Sequence, residues 1–115
     1  MDFNEYQKKA IGTDLEGKKD GNNIFYLGFM TKALGLVGEA GEVTEDIKKI
    51  LRDKNGELTE DDRTALTMEL GDVMWYIAVI ADYLGVSMEE VAEKNLEKLQ
   101  SRKQRGKLHG AGNNR

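Results

Sequence analysis

The chain has 115 residues, enough for one domain that needs no disulfide or metal staple. It contains no cysteine, which excludes a disulfide framework and thiolate chemistry, and no proline, which favours helices throughout. Seventeen Lys and Arg against 21 Asp and Glu leave a net charge of −4, so long nucleic acid and anionic membrane are not expected partners.

The positive charge is uneven. Lys94, Lys98, Arg102, Lys103, Arg105 and Lys107 crowd the last quarter of the chain, a cluster able to meet a small anion. The longest apolar run, Val73 to Ala81, is far short of a bilayer span. The start, MDFNEYQKKA, lacks the apolar segment of a secretory signal. A soluble, cytoplasmic protein is expected.

A short first helix is predicted over Phe3 to Ile11, followed by the polar loop GTDLEGKKDGNN. A second should run from about Ile24 to Arg52, with Leu36, Val37, Ala40, Val43, Ile47, Ile50 and Leu51 in helical rhythm. The turn Asp53 to Gly56 ends it. Thr59 is an N-cap for a third helix, with Glu60, Asp61 and Asp62 in its first turn near the positive end of the dipole. That helix should reach Tyr83 or Leu84 and stop at Gly85. Ser87 and Glu90 read as a capping box for a fourth helix ending near Arg102, with a loop-like tail from about residue 104. Two long helices joined by a short turn must lie antiparallel, so the expected architecture is an all-α bundle built on a helical hairpin. No second domain or internal repeat is visible in residues 1–115.

The chemistry concentrates in carboxylates. Glu39 and Glu42 are three apart on the second helix, and Glu69 and Asp72 are three apart on the third. Positions i and i+3 share a helix face, so each pair projects to one side. Four acids facing one another across neighbouring helices call for a cation between them, and a hard divalent ion such as Mg²⁺ suits oxygen donors with room for water. Acidic pairs also occur on plain solvated faces, and Glu45, Asp46 and Glu57 are read that way.

Other chemistries fit poorly. A ferritin-like di-iron site needs Glu-x-x-His pairs, but the sole histidine is His109 in the tail. Asp53, Asn55 and Gly56 miss the calcium-loop spacing, with Thr64 where the bidentate Glu belongs. No phosphate-binding glycine loop and no Ser/His/Asp set is present. Lys98 and Arg102 lie at i, i+4 and can reach one polyphosphate, and Asn95 lies a turn earlier. Gly35, Gly38 and Gly41 form a bare strip about 100° round the helix from Glu39 and Glu42. That strip lets a helix, a subunit or a ligand approach the backbone.

GEAGEV at 38–43, ELGDVMWY at 69–76 and NLEKLQSR at 95–102, in this order, resemble the MazG-type all-α nucleoside triphosphate pyrophosphohydrolases. Their signature, E-E-x-x-E followed after a spacer by E-x-x-D, is met by Glu39, Glu42, Glu69 and Asp72, with Gly38 in place of the first Glu. The resemblance implies a MazG-like, four-helix-bundle-type fold completed by oligomerisation into a homodimer or homotetramer. It implies Mg²⁺, with Mn²⁺ as a substitute, on those four acids. The implied reaction hydrolyses a (deoxy)nucleoside triphosphate between its α and β phosphates, giving monophosphate and pyrophosphate. Implied substrate contacts are Tyr76 to the base, Asn95, Lys98 and Arg102, and Asn113 and Arg115 in a tail that folds back. Trp75 is read as core or subunit interface. A phosphoribosyl-ATP pyrophosphohydrolase, or a silent helical interaction module, is the alternative; clustered like charge argues against the latter.

Overall fold

The computed structural model describes residues 1–115 as four helices with no strand: α1 (Phe3–Ile11), α2 (Leu27–Lys54), α3 (Glu60–Tyr83) and α4 (Met88–Gln104). Capping chemistry sets most of their ends. Asp2 and Glu5 close a capping box on α1, and Thr59 and Asp62 close one on α3. The Ser87 hydroxyl accepts the Glu90 N–H at 3.0 Å at the start of α4. α2 begins later than the expected Ile24, at Leu27. Its N-cap Tyr26 makes no side-chain cap bond but packs against Phe29 and Tyr83, with ring centroids 6.0 Å away in each case. It also runs beyond Arg52, to Lys54, where Asn55 and Gly56 reverse the chain at φ 53° and 80°. Gly85 ends α3 at φ 75°, as its position predicted.

α2 and α3 form the antiparallel hairpin. Gly35 faces Tyr76, Glu39 faces Glu69 and Asp72, and at the turn Lys54 Nζ bonds Asp62 Oδ1 at 2.8 Å. α1 crosses α3 and α4 around a small core of Ala10, Ala78 and Met88, flanked by Tyr6, Met74 and Trp75. Gln7 is the polar node of that junction. Its amide nitrogen donates to the carbonyls of Ala78 (3.1 Å) and Val86 (3.0 Å), and its oxygen accepts the Met88 N–H (3.2 Å). One buried amide therefore ties α1 to α3 and to the α3–α4 turn, satisfying groups that would be costly to bury unpaired.

The loop after α1 is held equally firmly. Lys32 Nζ meets Asp14 Oδ1 at 2.8 Å, with 5% and 3% of their side chains exposed. Asp14 also accepts the Tyr83 hydroxyl and the N–H groups of Glu16 and Gly17. Burial pushes the Asp14 carboxyl up, but Lys32 and the Tyr83 hydroxyl outweigh it and leave the group below the usual carboxylate value. Tyr83 is pushed up to about 12, by burial first and by Asp14 next.

The single chain leaves much apolar surface uncovered. Its accessible surface is 8626 Å². A folded monomer of 12.9 kDa exposes about 6300 Å². Its radius of gyration is 16.9 Å, against about 13 Å for a compact chain of this length. The excess has a location. Leu27, Met30, Leu34 and Val37, spaced by threes and fours on α2, and Ile47 and Leu51 further along it, are exposed on the side away from α3. Val37, Ile47 and Leu51, expected with the core stripe, belong to this outer one. The inner face is instead carried by Lys32, Leu36, Glu39, Val43, Asp46 and Ile50. By length and composition α3 is long and apolar enough to cross a membrane, which the run Val73–Ala81 alone did not suggest. Its centre, however, carries Glu69 and Asp72 packed against another acid, an arrangement unsuited to hydrocarbon.

Candidate active site

Three of the four acids expected to converge are brought together by the hairpin register. One carboxylate oxygen each from Glu39 on α2 and from Glu69 and Asp72 on α3 lie within 4.8 Å of one another. Glu39 and Glu69 are half-buried and Asp72 is exposed, so the cluster is open on one side. Glu42 lies outside this tight group and is exposed, yet its charge still bears on Glu69. The Glu69 carboxyl is held above its usual value, first by burial and then by the charges of Glu42, Asp46, Asp72 and Glu39. Asp46, read from the sequence as a solvated surface acid, is half-buried one turn beyond Glu42 and belongs to this field. The i, i+4 spacing of Glu42 and Asp46 was the available signal. Tyr6 of α1 is a second unforeseen neighbour, its hydroxyl pushed up by burial and by Asp72.

The donor set fits a hard divalent cation: all oxygens, from two rigid helices, partly open so that waters can complete the shell. None of the four acids makes a side-chain hydrogen bond or ion pair within the chain, which leaves their oxygens free for a cation or water.

The glycine strip divides. A Cβ built on Gly35 would run into the Tyr76 ring, so the glycine is what seats that ring against α2. Gly38 and Gly41 face open space. Tyr76 thus sits one turn from Asp72 along α3 and, through Gly35, one turn from Glu39 along α2. Trp75 turns the other way into the core group, its ring edge-on to Tyr76 at 4.9 Å and its Nε1–H bonded to Thr13 Oγ1 at 2.7 Å.

The predicted basic residues form a separate feature. Asn95, Lys98 and Asn113 line a groove of about 530 Å³ with Val86, Glu90, Val91 and Lys94, none of them one of the four acids. The tail does fold back onto α4: Lys98 Nζ bonds Asn113 Oδ1 at 3.3 Å, and Arg102 Nη2 donates to the Gly112 carbonyl at 3.1 Å. Arg102 is 4% exposed, not on an open basic face, and its buried Nε–H has no acceptor. Burial, Arg115 and Arg105 lower its pKa in that order, while Arg105 Nη2 donates to the Arg115 main-chain oxygen at 2.7 Å. Arg115 braces the tail through the carbonyls of Lys107, Leu108 and Gly112.

Similarity to known proteins agrees with this arrangement. The chain is 48% identical to the Gene 37 protein of Mycobacterium phage L5 over the full length of both. It is 38% identical to the uncharacterized protein YvdC of Bacillus subtilis (strain 168), over 58% of this chain and 68% of YvdC. YpjD, an uncharacterized protein of the same organism, is 30% identical over 58% of this chain and 60% of its own. No solved structure matches the chain. Residues 28–106, which contain α3, α4 and all of α2 but Leu27, with all four acids, match the MazG nucleotide pyrophosphohydrolase domain. With its all-helical fold and an acidic centre at the middle of the hairpin, the chain belongs to the MazG nucleotide pyrophosphohydrolase family.

Proposed function

We propose that the protein hydrolyses (deoxy)nucleoside triphosphates between the α and β phosphates, releasing nucleoside monophosphate and pyrophosphate, with cytoplasmic nucleotides as its substrates. The observation that carries this reading is the convergence of Glu39, Glu69 and Asp72 within 4.8 Å, none of them held in an ion pair. Glu39, Glu69 and Asp72, with Glu42 beside them, would hold Mg²⁺, or Mn²⁺ in its place. Bound there, the ion supplies charge neutralisation and Lewis acidity to the phosphates. Half-buried Glu39 is the carboxylate assigned to orient the attacking water and take up its proton. Tyr76, clamped on Gly35, offers a rigid aromatic wall to the nucleoside. The reading assigns the phosphates to Lys98, Asn95 and Asn113 in the groove, and to the guanidinium set of Arg102 and Arg115. The orphaned N–H of buried Arg102 and the like charges of Arg115 and Arg105 upon it are what an anionic ligand would relieve.

The oligomer is part of the same proposal. About 2300 Å² of surface beyond the monomer expectation is ample for a stable self-association, which takes about 800 Å² per partner in a standard interface. The outer α2 stripe is where a second copy would dock, giving a homodimer or homotetramer.

Incubating the protein with a panel of nucleoside triphosphates and Mg²⁺, then resolving the products, tests the reaction. Monophosphate plus pyrophosphate is expected. Diphosphate plus phosphate would refute the cleavage site, and no turnover on any nucleotide would favour a silent helical module.

A further inference from the structure

One turn from the acidic centre, beside Tyr76, lies a pocket of about 220 Å³ whose other walls the reaction as described does not use. Its walls are the α1–α2 loop (Thr13, Asp14, Leu15, Glu16), Thr31 and Lys32 of α2, and Trp75 and Tyr76 of α3. Every side-chain donor in these walls except the Tyr76 hydroxyl has an acceptor already. Lys32 Nζ is taken by Asp14 at 2.8 Å and Glu16 at 3.4 Å, under the faces of Trp75 and Tyr83. The Trp75 Nε1–H is taken by Thr13, whose hydroxyl donates to the Ala10 carbonyl. The Thr31 hydroxyl is spent on Glu16 Oε2 at 2.8 Å or on the Gly28 carbonyl.

Acceptors remain. A carboxylate has about four lone-pair sites, and Glu16 uses one on Thr31 and one, at long range, on Lys32. Its side chain is 40% exposed. Asp14 and Glu16 against Lys32 leave the pocket one negative charge in excess, which repels phosphate. The fitting occupant is a flat, uncharged group that brings its own N–H donors and can lie against the Tyr76 ring. The helical turn that separates the pocket from Asp72 and Glu39, about 6 Å of rise, leaves space for a pentose between the two.

We propose that Glu16, which lines this pocket together with Tyr76, makes the enzyme select bases with an exocyclic amino group over their oxo counterparts. The proposal rests on the triphosphate reading above. An amino group hydrogen-bonds the Glu16 carboxylate, whereas an oxo group in the same position sets acceptor against acceptor and leaves Glu16 unpaired.

The test compares pairs that differ only in this group: dCTP with dUTP, and dATP with dITP. For the wild type, kcat/KM should favour the amino member of each pair by about tenfold, since the hydrogen bond is to a charged but partly exposed group. Glu16→Gln keeps the shape and the Thr31 bond but can present either a donor or an acceptor. In that variant the preference should fall to within about twofold. Equal kcat/KM within the wild-type pairs, or an unchanged preference in Glu16→Gln, would overturn the proposal while leaving the reaction standing. If no triphosphate is turned over, the reaction fails and the pocket is still decided by Trp75, the only tryptophan. Saturable fluorescence change with deoxycytidine in preference to deoxyuridine would uphold the selection by Glu16; no change, or equal affinity, would sink it.

Discussion

Replacing Lys32 by methionine is the sharpest test of how the loop beside the site is held. Lys32→Met keeps the length of the side chain and removes the ammonium that faces Asp14 at 2.8 Å. Removing one partner of a buried pair strands the other charge, which costs about 3–5 kcal/mol. Asp14 keeps the Tyr83 hydroxyl and the N–H groups of Glu16 and Gly17, which places the loss at the lower end, about 3 kcal/mol. For a chain of this size that corresponds to about 12 °C in Tm. Urea denaturation followed by circular dichroism measures it, with the slope m unchanged. The pH dependence gives the sign. Asp14 has its folded pKa below the usual 3.8, so its stabilisation is complete above that value and is lost as pH falls through the folded pKa. The wild type loses the Lys32 contribution on acidification, whereas the variant sheds its stranded charge. The gap between them should therefore close as pH falls towards 3.8 and below. A loss under about 1 kcal/mol at neutral pH, the value of an exposed pair, would refute the argument from burial.

Glu69→Gln and Asp72→Asn should each abolish metal-dependent turnover while leaving helical content near wild type; normal turnover in both would remove these residues from the mechanism. Mg²⁺ or Mn²⁺ should raise the wild-type Tm, by about 11 °C at a concentration a hundred times its Kd, and leave the Glu69→Gln variant nearly unmoved. Gly35→Ala should displace the Tyr76 ring at a cost of about 1–3 kcal/mol and raise KM more than it lowers kcat. Calorimetry and steady-state kinetics check both parts. Leu34→Glu, on the outer α2 stripe where Leu34 is 73% exposed, should lower the molar mass read by light scattering to that of the single chain.

Local rules in the sequence determined the helices and the identity of the acids. Thr59, Ser87 and Gly85 mark ends because capping and positive φ depend on a few adjacent residues. Glu39 and Glu42, and Glu69 and Asp72, were legible as pairs because a period of 3.6 puts i and i+3 on one face. A period says which residues share a face but not what that face meets. The hairpin register alone decided that Gly35 would seat Tyr76 while Gly38 and Gly41 stayed open, and that Asp46 would join the acidic field. The apolar positions of α2 likewise split into an inner and an outer stripe only once α3 lay against one of them. Asp14 with Lys32, and Arg102 with the returning tail, are joined by irregular chain whose path no periodicity encodes. Their burial is a property of the packed molecule, set by which surfaces the helices close over.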